Sequence, residues 1–351
     1  NMTDSSYFPS SFPPSEVDAD ALNFNTEGTT ELTFMMDEDQ ELSDPEFMEE
    51  MKGFTDLLNK HTCYEMIPAS GKIVVLDVSL DIKAAFRALI ENRIKSAPLW
   101  DFNVGDYVGM ITVTDFINIL RHYYHTQKEG FSELMENEYQ IRKWRAISDS
   151  NLSTNHLISI HPDDSIYDAA KTLVDFHIHR VPIIDKEENN STLHILSHHR
   201  ILIFLISNVN NQCREQLLSR SIEELGIGTF NNVVTVLKDT PLIVTLNMLA
   251  ERGISAVPLV DETGIVDAIY SKSDAAALAK HPDIFSLLDD PVQKFIEEKK
   301  LYTCRKTDTL QRVVVELMLG CNVRRIICVD STKRVNGIIS QSDIIKFFLS
   351  H

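Results

Sequence analysis

The stretch GMITVTDFINIL, Gly109 to Leu120, decides how the chain is organised, because it recurs. DAIYSKSDAAAL begins at Asp267, GIISQSDIIKFF at Gly337 and HILSHHRILIFL at His194. Each is an apolar, strand-like run that turns through Ser or Thr into an apolar, helix-like run. Three copies carry an acid at one position, Asp115, Asp274 and Asp343; the copy at His194 carries Arg200 there.

Working outward, the same order surrounds every copy. The runs IKSAPLWD, IHRVPIID, ISAVPLVD and VRRIICVD suit buried strands, and their final Asp precedes the key position by 14, 15, 13 and 13 residues. Ahead of them lie four segments with helical apolar spacing. Ile82, Phe86, Leu89 and Ile90 share a face in the first, and Ile166, Ala170, Leu173 and Val174 in the second. Leu242, Leu246 and Leu249 do so in the third, with Pro241 at the first helical position, and Leu310, Val313, Val314 and Leu317 in the fourth. Four copies in matched order predict a repeat protein of α/β (α+β) class. The repeats are expected at 63–125, 145–208, 221–281 and 291–351. A helix over 45–62, with Phe47, Met51, Phe54 and Leu58 as its apolar stripe, is expected to precede them.

The chain has 351 residues, 43 % of them hydrophobic, and a net charge of −19. Residues 1–50 hold 14 acidic residues and no basic ones, leaving 38 acidic against 33 basic, a net of −5, for the rest. Residues 1–44 show no apolar periodicity and are expected to form a disordered acidic tail. A nucleic-acid partner needs a basic footprint, which neither part has. The aliphatic run ILIFLI is far too short to span a membrane, and no secretory signal is visible. Five cysteines without a C-x-x-C pair fit a reducing compartment. The expectation is a cytoplasmic protein, with the nucleus as a second compartment.

The pattern resembles the CBS domain, an adenosine-ligand module that works in pairs. Among CBS proteins, CYEMIPASGKIVVLD, SAPLWD, VGMITVTDFINILRHYY, HIHRVPIID, RILIFL and SIEELGIGTFNNV are similar to the gamma-subunit family of AMP-activated protein kinase. That resemblance implies four CBS repeats paired into two Bateman modules that form a flattened disc. It implies a non-catalytic regulatory subunit binding AMP, ADP and ATP competitively, in a heterotrimer with a kinase alpha subunit and a scaffolding beta subunit. A divergent scaffold with weak or lost nucleotide binding is the alternative. An enzyme that merely contains CBS repeats would need a barrel, for which the repeats leave no residues.

Each position then carries its own chemical expectation. Asp115, Asp274 and Asp343 stand where a carboxylate can accept from both hydroxyls of a ribose; the same acids before an apolar run also suit helix capping. Arg200 has only donors, so the second ribose site should be empty. From the resemblance, phosphates would meet Lys95, His179, Arg180, His199, Arg324 and Arg325, with hydroxyls from Thr112, Ser340 and Ser342 at helix starts. Met110, Thr229 and Ser255 match further nucleotide contacts. Lys95 stands for an Arg of the family, His199 for a Lys, Arg324 for a His and Gly253 for an Arg. No phosphate loop or hydrolase motif is present, and the paired histidines lack the acid or Cys ligands a metal site needs.

Overall fold

A computed structural model describes residues 45–126, 140–148, 157–188, 190–281, 284–296 and 300–350. The expected tail, 1–44, lies outside them. In repeats 1, 3 and 4 a two-residue strand runs parallel to the middle strand, and the third strand runs antiparallel to it. The middle strands are Ser96–Asp101, Arg180–Asp185, Ala256–Val260 and Arg325–Val329. Repeat 2 keeps only the antiparallel pair, its first strand reduced to one parallel bridge, Ile160 to Ile183. All four sheets break register at the same place, between Leu99 and Trp100, Ile183 and Ile184, Leu259 and Val260, and Cys328 and Val329. Such a bulge twists the ribbon and re-aims the side chains beyond it, so the four hairpins share one shape.

The apolar stripes place the helices, with small corrections. Helix Ile82–Glu91 buries Ile82, Ala85, Phe86 and Leu89, with Ala85 rather than Ile90 completing the face. Helix Ile166–Asp175 buries Ala169 in place of Val174. Leu242, Leu246 and Leu249 are fully buried, and Pro241 sits one residue earlier than expected, as the cap before helix Leu242–Glu251. The segment Gln311–Leu319 is wound as a π-helix, which closes with Gly320 N–H donating to the Val315 carbonyl at 2.9 Å. The i→i+5 winding turns the face by part of a residue per turn, so Met318 is buried where Leu317 was expected. Helix Pro45–Lys60 buries Phe47, Met51, Phe54 and Leu58 completely.

Repeats pair by exchanging their leading segments. Cys63 and Tyr64, ahead of repeat 1, donate backbone bonds to the Asp164 and Pro162 carbonyls of repeat 2, both at 2.8 Å. In return Ile141 and Arg142, ahead of repeat 2, donate to the Leu80 and Val78 carbonyls of repeat 1 at 3.0 and 2.9 Å. Repeats 3 and 4 do the same: Ile222 donates to Asp308 at 3.0 Å, and Val292 to Thr240 at 2.9 Å. The modules therefore hold repeats 1 with 2 and 3 with 4. Helices join them crosswise. One apolar cluster runs unbroken through repeats 1 and 3, where Arg121 of helix Val113–Thr126 reaches Asn247 at 2.6 Å and Glu251 at 2.8 Å. Helix Gln341–Leu349 of repeat 4 packs on the helices of repeat 2 and on Pro45–Lys60, with the Phe54 and Phe348 rings 4.8 Å apart. The fold is four like repeats in two pairs, mixed in helix and strand.

Candidate anion site

The exchange and the crosswise packing bring the starts of all four middle strands together. Lys95, His179, Ser255 and Arg324 are equivalent positions just ahead of these strands, and Arg180 and Arg325 open two of them. A cavity of about 500 Å³ lies there. Four arginines (Arg145, Arg180, Arg324, Arg325) and two lysines (Lys95, Lys272) line it, against a single carboxylate, Asp115. His177 and His179 add to the basic lining, and Met110, Trp144, Leu157 and Ile158 form an apolar wall.

The cations weaken one another. Burial, then Arg324, Arg180 and Arg325, hold the Lys95 ammonium down at about 7. Burial and Arg324 pull Arg180 to about 10, and Arg325 falls to about 10 for the same two causes. Burial lowers Arg324 and, with Arg325, Lys272. His179 opens on the cavity, yet the protein packed round its ring, followed by His198, Arg325 and Arg180, pushes it to about 3, so it is a neutral donor or acceptor. Like charges this close, with one carboxylate among them, make an environment that a bound polyanion would relieve.

Two lysines cross between repeats. Lys95 Nζ donates to Ser273 Oγ of repeat 3 at 2.7 Å, and Lys272 Nζ of repeat 3 donates to Thr114 Oγ1 of repeat 1 at 3.3 Å. Arg325 donates to the Ser255 carbonyl at 3.2 Å and to its hydroxyl. The guanidinium of Arg180 has no hydrogen bond or ion pair within the described residues.

The three acids share one geometry. Thr112 donates its backbone N–H and hydroxyl to Asp115 Oδ2 at 2.7 and 2.8 Å. Ser271 does so to Asp274 at 2.8 and 2.7 Å, and Ser340 to Asp343 at 2.7 Å twice. Each acid is therefore part of a helix cap, which fixes the plane of its carboxylate. The Thr112 and Ser340 hydroxyls each have one proton, and it goes to the carboxylate. Thr112 lines the cavity even so, as do Thr114 and Ser273 at the next hydroxyl positions. Burial raises the Asp115 carboxyl, opposed by the Thr112 bonds and Arg145. Ser342 lies in the first turn of Gln341–Leu349, and neither it nor Asp274, Asp343 or Thr229 lines this cavity. Thr229 instead exchanges two backbone bonds with Ile338 of repeat 4, each 2.9 Å. Met110 and Ser255 do line it.

Arg200 reaches from repeat 2 to the leading segment of repeat 1, donating to the Met66 carbonyl at 3.1 Å. A guanidinium therefore stands at the acid position of repeat 2. His199 is beside the cavity rather than on its wall. Gln341 Nε2 donates to its Nδ1 at 3.0 Å, which leaves the ring proton on Nε2. Burial, Arg324 and Arg200 hold its pKa below the usual imidazole value. A phosphate nearby raises that value, so wild-type AMP binding should strengthen as pH falls towards the bound-state pKa. His199→Lys should tighten AMP a few-fold at pH 7.5 and flatten the pH profile in calorimetric titrations. No change in either would put His199 out of reach of the phosphate.

Gly253 has a backbone conformation that favours glycine without demanding it. Arg93, His177, Gly253 and Asn322 occupy one position in the four repeats, with φ of 55, 52, 63 and 54°. Only glycine takes that conformation freely. A Cβ at Gly253 would meet nothing within 4 Å, and the residue lines the cavity. Gly253→Arg should thus add a cation to the site at a cost of about 1–2 kcal/mol in backbone strain. The expected readouts are a lower Tm and tighter AMP binding; looser binding would show that the added side chain blocks the cavity.

Lys272, Arg145 and Trp144 were not anticipated. Lys272 sits between Ser271 and Ser273 in SKSD, a cation two residues before Asp274, and is legible there. Arg145 and Trp144 come from helix Ile141–Ser148, outside the repeated pattern. The Arg145 guanidinium lies where a Gly109 Cβ would be, so glycine at 109, with φ +151°, is what admits it. Among the described residues no cluster of His, Cys, Asp or Glu fits a metal ion, and no helix is long and apolar enough to cross a membrane.

The CBS domain family model matches residues 65–122, 149–207, 226–280 and 294–350, and the chain belongs to the CBS-domain family. Within it, the chain is 44 % identical over 309 residues to the 5'-AMP-activated protein kinase subunit gamma of Dictyostelium discoideum, covering 85 % of this chain and 53 % of that one. It is 36 % identical over 294 residues to the human subunit gamma-3, covering 82 % and 59 %. The chain thus spans somewhat over half the length of these curated relatives. A crystal structure from Methanocaldococcus jannaschii, described as a proposed archaeal homolog of gamma-AMPK, superposes with a TM-score of 0.68 at 17 % identity, over 82 % of this chain and 100 % of that one.

Proposed function

We propose that the chain is the nucleotide-sensing gamma subunit of an AMP-activated protein kinase. It binds AMP, ADP and ATP competitively in the basic cavity and performs no catalysis itself. The observation that carries this reading is the convergence of six lysine and arginine side chains on one carboxylate-bearing cavity. An adenosine phosphate supplies what that cavity lacks: an anion for Lys95, Arg180, Lys272, Arg324 and Arg325, and a ribose for Asp115. The partners are a kinase alpha subunit and a scaffolding beta subunit, in the cytoplasm and the nucleus. Occupancy regulates the kinase only if nucleotide binds two conformations of the complex unequally. Titrating ATP against AMP-saturated protein should displace AMP with a single competitive isotherm. ATP binding that leaves AMP in place would defeat the sensing mechanism.

A further inference from the structure

We propose that Cys304 and Cys328 form a modification site, a buried dithiol that a hydroperoxide converts to a reversible disulfide within repeat 4. The two strands that carry them, Thr303–Cys304 and Arg325–Val329, are parallel, and Cys304 and Cys328 are direct partners in the register. In-register partners on neighbouring strands lie about 4.7–4.9 Å apart and point their side chains to the same face. A disulfide spans Cα separations of roughly 4.4–6.8 Å. The register thus places the pair within disulfide reach. The remaining thiols are not paired in this way: Cys63, Cys213 and Cys321 belong to other elements.

The surroundings divide the roles. The Cys304 thiol is hydrogen-bonded to Cys328 and buried, both of which raise its pKa. The same bond, with Lys306 nearby, lowers that of Cys328. Cys328 is then the more readily ionised of the two and Cys304 the thiol that resolves it. In the first step the Cys328 thiolate attacks one peroxide oxygen, the O–O bond breaks, and the alcohol or water leaves with a proton. Cys328 is now a sulfenic acid. In the second step the Cys304 sulfur attacks the Cys328 sulfur, its own proton is lost, and water leaves. Two thiols are oxidised and one hydroperoxide is reduced.

Access is the obstacle, since Cys304 is 2 % and Cys328 0 % exposed. The edge strand Thr303–Cys304 is held to its neighbour through only two register positions. Short edge pairings of this kind open locally at little cost, and hydrogen peroxide is close to water in size. The site lies under the loop that carries Thr229. Cys328 pairs with Gly337, Phe230 covers Gly337, and Lys306 stacks on the Phe230 ring at 4.5 Å.

The test treats the intact chain with hydrogen peroxide, unfolds it, alkylates remaining thiols and maps the peptides without reduction. A Cys304–Cys328 linked peptide is expected, removed by dithiothreitol and absent from Cys328→Val, which keeps the side-chain shape. The oxidised parent should also melt about 5 °C higher than the reduced one, as a cross-link over a loop of this size implies, with no shift in Cys328→Val. Both residues recovered fully alkylated after peroxide, while Cys213 or Cys321 is oxidised, would overturn the proposal. So would a linked peptide joining either residue to a different cysteine.

Discussion

Arg180→Met lowers AMP affinity by ~10- to 150-fold, the equivalent of one charged hydrogen bond at about 1.5–3 kcal/mol, and at the same time raises the melting temperature of the unliganded chain. The two effects have one cause. Arg180 is crowded by burial and by Arg324 and has no partner within the described residues, so its charge costs stability in the absence of an anion. Methionine keeps the apolar stem and removes the charge. A residue kept for packing would behave in the opposite way, losing stability with affinity unchanged. Scanning calorimetry and AMP titration on the same sample separate these cases. Lys95 extends the argument to pH. Its folded pKa is depressed to about 7 from 10.5. Between those values the unfolded chain holds a proton that the folded one lacks, so this group makes stability rise with pH through that window and withholds the gain below it. A phosphate beside Lys95 restores its proton. AMP binding above pH 7 should therefore take up protons and weaken as pH rises, which titration in buffers of different ionisation enthalpy would detect.

Asp115→Asn should lower AMP affinity by about 1–3 kcal/mol, the loss of charged acceptance from a ribose, with Tm little changed. Asparagine still offers an oxygen to the Thr112 N–H and hydroxyl, so the helix cap survives while the charge does not. Asp115→Ala removes both and should lose stability as well. Corresponding changes at Asp274 and Asp343 should each weaken one site, whereas Arg200→Ala, at the position that donates to Met66, should leave AMP binding as it was. Asn variants that bind like the parent at all three positions would leave these acids as caps alone.

Much of this arrangement can be read from the chain because it is repeated. The register bulges, the buried faces and the three acids all arise from segments that recur in matched order, and one copy corrects another. The sequence conceals whatever lies off the repeat. Arg145 and Trp144 enter the cavity from the segment that repeat 1 receives in exchange, and pairing across that distance leaves no local pattern. Crossing lysines were hidden for a related reason: Lys95 and Lys272 find their hydroxyls 178 and 158 residues away. Capping and phosphate donation use the same residues in the same order, so the sequence does not show that the Thr112 and Ser340 hydroxyls bond the Asp115 and Asp343 carboxylates. In the fourth helix the burial of Met318 depends on π winding, which apolar spacing does not encode.

The most direct measurement compares AMP with adenosine in calorimetric titrations of the same chain at two salt concentrations. If the crowded cations are a phosphate site, AMP should bind at least ~100-fold more tightly than adenosine, as charged hydrogen bonds to phosphate require. That advantage should shrink as salt rises. Equal affinity for the two ligands, or no binding of either, would mean that the cations do not serve a nucleotide phosphate.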